Sequence, residues 1–170
     1  MRREVLLAAA VLSAPALTKE HRHPSGAFSF RTPEGWRVAP LADRPDVLEA
    51  SGPGLRIRFV HHAGEAGYDS LHATCMTERL TGPMQAAAEV RYEYDFVSWS
   101  VGPRRALDSA FTVRYDAPVD GYRDWRQRNV TVVGAGQSLC VIAHAPVPLW
   151  KKTPGLKQAL DDVLNSIQMK

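Results

Sequence analysis

The sequence predicts an α+β domain: an antiparallel sheet of about six or seven strands, closed by a C-terminal helix and one middle helix. Two observations carry this. Period-two alternation of apolar and polar residues recurs between hairpin-like breaks, without the alternating helices that a parallel doubly wound sheet needs. One strongly helical apolar spacing, Leu156, Leu160, Val163 and Ile167, follows at the C-terminus. At 170 residues, with 45% apolar and 23% charged residues, the chain is long enough to bury a core as one domain.

Arg2 and Arg3 precede an apolar run from Val5 to Leu17. The run falls short of the ~20 residues that span a bilayer. Its basic flank, short greasy core and Ala14-Pro15-Ala16 end fit a signal peptide over residues 1–16, cleaved after Ala16, with a packed N-terminal helix as the alternative. This reading places the mature chain in the periplasm or outside the cell, with no stable membrane insertion. Residues 17–25, LTKEHRHPS, are polar and expected as a linker to a single domain over 26–168.

Within that domain, Phe28 and Phe30 alternate with Ser29 and Arg31, Pro33-Glu34-Gly35 supplies turn chemistry, and Trp36 and Val38 resume the alternation. Asp46 to Ser51 forms a weak strand before Gly52-Pro53-Gly54. Leu55, Ile57 and Phe59 then alternate with Arg56 and Arg58. Residues 69–80 read as a helix capped by Asp69 or Ser70, with Leu71, Cys75, Met76 and Leu80 buried and Gly82-Pro83 as its stop. Val90, Tyr92, Tyr94 and Phe96 share one face of the next strand, and Phe111, Val113 and Tyr115 one face of another. A long strand from Tyr122 to Val133 turns at Gly134–Gln137 into residues 139–144, which are apolar on both faces and therefore central. Thr153-Pro154 opens the last helix with a capping hydroxyl and a proline at the first helical position.

The stretches FSFRTPEGWRV (28–38), RQRNVTVV (126–133) with LCVIAH (139–144), and LKQALDDVLNSI (156–167) resemble the PsbP-like family. That family includes the extrinsic photosystem subunit, the Ran-binding Mog proteins and many small exported bacterial proteins. The resemblance covers residues 26–168. It implies an α/β/α-like sandwich on an antiparallel sheet, and binding or assembly roles rather than catalysis. It carries over no catalytic motif. No Cys follows the apolar run, unlike the lipoproteins among the bacterial relatives.

The net charge of +3, with 16 arginines and 5 lysines, is too small a surplus for nucleic acid. Arg56, Arg58, Arg91, Arg114, Arg126 and Arg128 occupy strand positions among Glu93, Asp95, Asp116 and Asp124. They form either a solvated face of cross-strand charge pairs or a groove for an anionic ligand or acidic partner. Of these, Arg56, Arg58, Arg126 and Arg128 are the candidate ligand-binding residues. Trp99 lies on the parity of Arg91, outside the apolar stripe, and is a candidate interaction anchor if exposed.

Cys75 and Cys140 can form one bridge in an oxidising compartment, or stand as two buried thiols. His72, one turn from Cys75, makes thiol catalysis conceivable, but neither an oxyanion hole nor a third orienting residue accompanies the pair. His21, His23, His61, His62, His72 and His144 show no recognised metal spacing. Cys140 and His144 on one strand stand ~13 Å apart, too far to share a zinc. The reading is therefore a monomeric, non-enzymatic, exported protein without a cofactor or metal, binding an unknown protein or a small anionic ligand. A carrier of a small hydrophobic or anionic molecule, and a thiol- or histidine-dependent hydrolase, are the alternatives.

Overall fold

A computed structural model describes residues 16–64, 68–80 and 87–170. Residues 1–15 of the expected signal peptide lie outside the described residues, as does the Gly82-Pro83 stop.

The chain builds two antiparallel sheets. β1 (Leu17–Arg22), β2 (Phe28–Pro33) and β10 (Gln168–Met169) form a small sheet in the order β1-β2-β10. β3 (Arg37–Pro40), β4 (Val47–Gly52), β5 (Leu55–Ala63), β6 (Ala87–Val101), β7 (Arg104–Val119), β8 (Tyr122–Gly134) and β9 (Gln137–Pro146) form the main sheet, in the order β3-β4-β5-β9-β8-β7-β6. β9 is its central strand, and every residue from Ser138 to Pro146 is buried.

Residues opposite each other in the register share a face. Ile57, Ala143, Arg128 and Ala110 define one face of the main sheet, as do Phe59, Val141, Val130 and Asp108 one step on. Against this face lie the small sheet and α3 (Pro154–Asn165), through Phe28, Phe30, Leu156, Leu160, Val163 and Leu164. Phe30 stacks on Phe59 with ring centroids 3.9 Å apart. The other face carries Arg56, Arg58, Cys140, Ile142, Thr131 and Phe111. It is covered by α1 (Tyr68–Met76) and the segment after it, with Leu71, Cys75, Met76 and Leu80 buried.

Three local readings are corrected. Residues 17–25 were expected as a linker, yet Leu17–Arg22 form β1, with His21 opposite Phe30. The pairing is edge backbone hydrogen bonding, which tolerates charged side chains and needs no apolar alternation. His21 also stacks on Phe30 and meets the Thr32 hydroxyl at 2.9 Å. The Pro33-Glu34-Gly35 turn, with Gly35 at φ +81°, carries the chain from one sheet to the other rather than between paired strands. Thr153 does precede α3, but its hydroxyl makes no cap hydrogen bond. An unforeseen short helix, α2 (Val147–Lys152), ends at the same residue, and the Thr153 amide closes it by donating to the Leu149 carbonyl.

The middle helix ends at Met76 rather than near 80. Its last turn and the chain beyond it are held by sheet side chains: the Asn129 side-chain amide donates to the Cys75 carbonyl at 2.6 Å and the Gln127 side-chain amide to the Glu78 carbonyl at 2.8 Å.

Candidate functional site

The register separates the four candidate arginines. Arg126 and Arg128 sit on the α3 face, Arg56 and Arg58 on the α1 face, so no single groove contains all four. Each engages a neighbouring carboxylate. Arg128 forms a fork with Asp108, at 2.7 Å from Nη2 to Oδ2, and its Nη1 donates to Asp161 of α3 at 2.7 Å. Its side chain is 13% exposed and that of Asp108 5%. Burial alone would lower the Arg128 pKa; the hydrogen bonds and charge of Asp108, with Asp161, more than offset it and raise the pKa above its ordinary value. Arg126 grips Glu93 at 2.8 and 3.0 Å and lies over the Trp150 ring of α2, 4.5 Å from its centroid. Arg58 donates to Glu49 at 2.8 Å and to the carbonyls of Arg79 and Leu80 at 2.9 and 3.0 Å. Arg56 pairs with Asp120. In this geometry, Arg126, Arg128 and Arg58 tie α2, α3 and the segment after α1 to the main sheet.

Trp99 is half-buried rather than exposed. It shares the face of Arg91, as its parity indicated, but that face changes character along β6: at its far end Val101 and Ala106 are core, and Trp99 packs on them. A strand of 15 residues runs from the open end of the sheet to the covered one.

Under α1 a polar constellation surrounds a disulfide. Cys75 and Cys140 are bonded, with Cα atoms 6.3 Å apart. His72, wholly buried, lies within hydrogen-bond distance of the Thr131 hydroxyl through Nδ1, at 2.7 Å, and of the Ser109 hydroxyl through Nε2, at 2.9 Å. Ser109 in turn donates to Asp95 at 2.6 Å, and Thr131 Oγ1 sits 3.6 Å from Cys140 Sγ. A hydrogen-bonded chain thus runs from the exposed Asp95 carboxylate through Ser109 and His72 to Thr131, whose hydroxyl lies against the bridge. His62, at the end of β5, completes the cluster: its ligand atom and the two sulfurs lie within 4.8 Å of one another. Burial first, and the neighbouring His61 second, lower the His62 pKa, so its ring is neutral at neutral pH. The sequence held these residues separately; only the antiparallel register of β5 with β9 and the docking of α1 bring them together.

The third feature is the outer edge of β6. β6 is the last strand of the main sheet, and among the described residues no strand pairs with its outer side. Tyr92, Phe96 and Val97 are exposed by 57%, 42% and 46%. Register breaks between Tyr92 and Tyr94 and between Tyr94 and Val97 place Tyr92 opposite Phe111 on the α1 face, and Tyr94 opposite Ala110 on the other. The shared face expected for Val90, Tyr92, Tyr94 and Phe96 therefore breaks at Tyr94. Phe96 takes φ +51°, a strained conformation for a bulky residue. Its amide donates to the Ser109 hydroxyl at 3.0 Å and its ring meets His72 edge-on, which hold it there.

The architecture is the PsbP/Mog-like fold. The solution structure of cyanobacterial PsbP (CyanoP) from Synechocystis is 10% identical, with a TM-score of 0.64 over 96% of this chain and 99% of that one. The Saccharomyces cerevisiae Ran-binding protein Mog1p is 10% identical, with a TM-score of 0.58 over 91% and 96%. LpqN of Mycobacterium tuberculosis, involved in cell envelope biogenesis, is 13% identical, with a TM-score of 0.57 over 89% and 91%. The chain also spans about half (49%) of a Bacteroides thetaiotaomicron protein, at 12% identity and a TM-score of 0.61. No family model matches the chain, and no curated protein matches it by sequence. At such identities the likeness is one of fold.

Proposed function

We propose that this is a small exported, non-enzymatic binding or assembly protein of the cell envelope, and that its protein partner adds along the edge of β6. The observation that carries the reading is that edge: a long strand whose outer side pairs with no other strand among the described residues, with exposed Tyr92, Phe96 and Val97 around a strained Phe96. Such an edge is a ready template for strand addition, with backbone hydrogen bonds for affinity and side chains for selectivity. The similar proteins, one Ran-binding and one involved in cell envelope biogenesis, favour partner binding in the same sense. The N-terminal pattern supports the export part of the reading, and cleavage after Ala16 would leave β1 intact from Leu17.

The hydrolase alternative loses its nucleophile, because Cys75 is bonded to Cys140 and His72 is held by Thr131 and Ser109. The carrier alternative has little support between sheet and helix, where Leu156, Leu160, Val163 and Leu164 fill the layer against Ile57, Val141 and Ala143. A cleft of about 250 Å³ beside β6 is lined by Arg91, Arg114 and Lys151, but Glu89 and Asp124 line it too and pair with the arginines.

The test is a photo-crosslinking residue at position 97, compared with one at position 157 on α3, in the native host. A discrete protein adduct at 97 that disappears when Tyr92 and Phe96 are changed to serine, and is absent at 157, supports the reading. Equal labelling at both positions, or none at 97, rejects it.

A further inference from the structure

We propose that reduction of the Cys75–Cys140 bridge converts the His62, Cys75 and Cys140 cluster into a binding site for a thiophilic d10 cation, Zn²⁺ or Cu⁺. The site needs no new neighbours. The three ligand atoms already lie within 4.8 Å of one another. Around a tetrahedral zinc at ~2.0–2.3 Å, ligand atoms stand roughly 3.3–3.8 Å apart. The freed sulfurs must separate to about that distance, and the imidazole has at most about 1.5 Å to close. Cys140 belongs to the central strand and His62 to its neighbour, so two of the three ligands are fixed by the sheet register, while Cys75 comes from α1.

Three further observations point to the cluster as a site. His62 Nε2 is buried and has no hydrogen-bond partner among the described residues. The ligand types, two thiolates and one imidazole, are a soft set that suits Zn²⁺ or Cu⁺ and disfavours Mg²⁺ or Ca²⁺. Three protein ligands leave a fourth position for water on zinc, or complete a three-coordinate copper. Thr131 places a hydroxyl 3.6 Å from Cys140 Sγ, in the outer shell of the site.

The redox step is a thiol–disulfide exchange. A dithiol donor gives two electrons and closes its own disulfide as the Cys75–Cys140 bond breaks. Its two protons pass to the freed sulfurs, and cation binding then releases two protons as both thiols become thiolates.

The full chain is reduced with dithiothreitol, desalted without oxygen and titrated with Zn²⁺, and separately with Cu⁺, against a chromophoric chelator. Unreduced protein sets the baseline for His21, His23 and His61. Co²⁺ serves as a spectroscopic stand-in for zinc, since thiolate ligation gives intense charge-transfer absorption. Folding is followed by circular dichroism in each sample. The proposal expects one additional equivalent bound only after reduction, thiolate-to-cobalt absorption, and at least tenfold weaker binding in His62→Ala but not in His23→Ala. It also expects the ion to raise the thermal midpoint of the reduced protein, and to do so less in His62→Ala. Equal binding by reduced and unreduced protein, equal binding by His62→Ala and wild type, or a reduced chain that stays unfolded with and without the ion would each overturn it.

Discussion

Arg128 ties α3 to the main sheet through a buried ion pair, and its removal should destabilise the fold. The Arg128→Ala substitution removes a guanidinium that is 13% exposed, and with it the fork to Asp108 and the bond to Asp161. It leaves the Asp108 carboxylate, 5% exposed, with the Tyr94 hydroxyl as a neutral donor at 3.1 Å. Breaking a buried pair by removing one partner costs about 3–5 kcal/mol, because the remaining charge is uncompensated. Asp161 is 33% exposed, so solvent screens that half of the interaction and it adds little. For a domain of this length each kcal/mol shifts the thermal midpoint by roughly 2–4 °C, so a fall of about 6–20 °C is expected. Urea unfolding of the oxidised protein, lacking residues 1–16, measures the loss directly. Replacing both partners, as Arg128→Met with Asp108→Leu, should recover most of it, since an apolar pair carries no desolvation penalty. A loss below about 1 kcal/mol in Arg128→Ala would refute the strut and return Arg128 to the ligand-binding role that its sequence position also allows.

Three other outcomes follow from the same structure. The bridge spans a sequence separation of 65 residues. In the chain-entropy model, Cys75→Ala with Cys140→Ala should then lower stability by about 4 kcal/mol, read as a lower urea midpoint. His144 is wholly buried among Arg58, Arg79 and Arg56, and burial first, those charges second, hold its pKa well below the usual value. It is therefore neutral in the native state, while the unfolded chain takes up a proton as pH falls through ~6.5. Its contribution is intact above that pH and declines below it, by at most about 1.4 kcal/mol per pH unit, and His144→Asn should flatten the stability profile between pH 6.5 and 5. His21 and His62, also lowered, act in the same direction and will leave a residual slope. Gly52 lies against the Trp36 indole so closely that a Cβ would overlap the ring. Gly52→Ala should cost about 1–3 kcal/mol by overpacking, and Trp36→Phe in the same chain should relieve part of it.

The buried strand faces were legible from alternation: Leu55, Ile57 and Phe59 are buried, as are Phe111, Val113 and Tyr115. The centrality of β9 was legible for the opposite reason, apolar residues on both faces. β1 was not, since an edge strand is stabilised by backbone pairing that composition does not record. Nor was the second sheet, because β2 and β3 read as successive strands and nothing local says that the turn between them changes sheets. The arginines were seen as strand residues, but their placement on opposite faces depends on the register of three strands. Arg58, with Glu49, shows the limit most plainly: its parity says polar face, and the segment after α1 buries that face. The disulfide cluster needed three elements at once, and Phe96 needed a bulge, a backbone irregularity that period-two patterning hides.

The most direct measurement is the intact mass of the protein recovered from its native host, with alkylation under denaturing conditions before and after reduction. Export predicts a mass beginning near Leu17, no alkylation before reduction and two modified cysteines after it. A full-length mass with two thiols that react at once would contradict an envelope protein with an oxidised bridge.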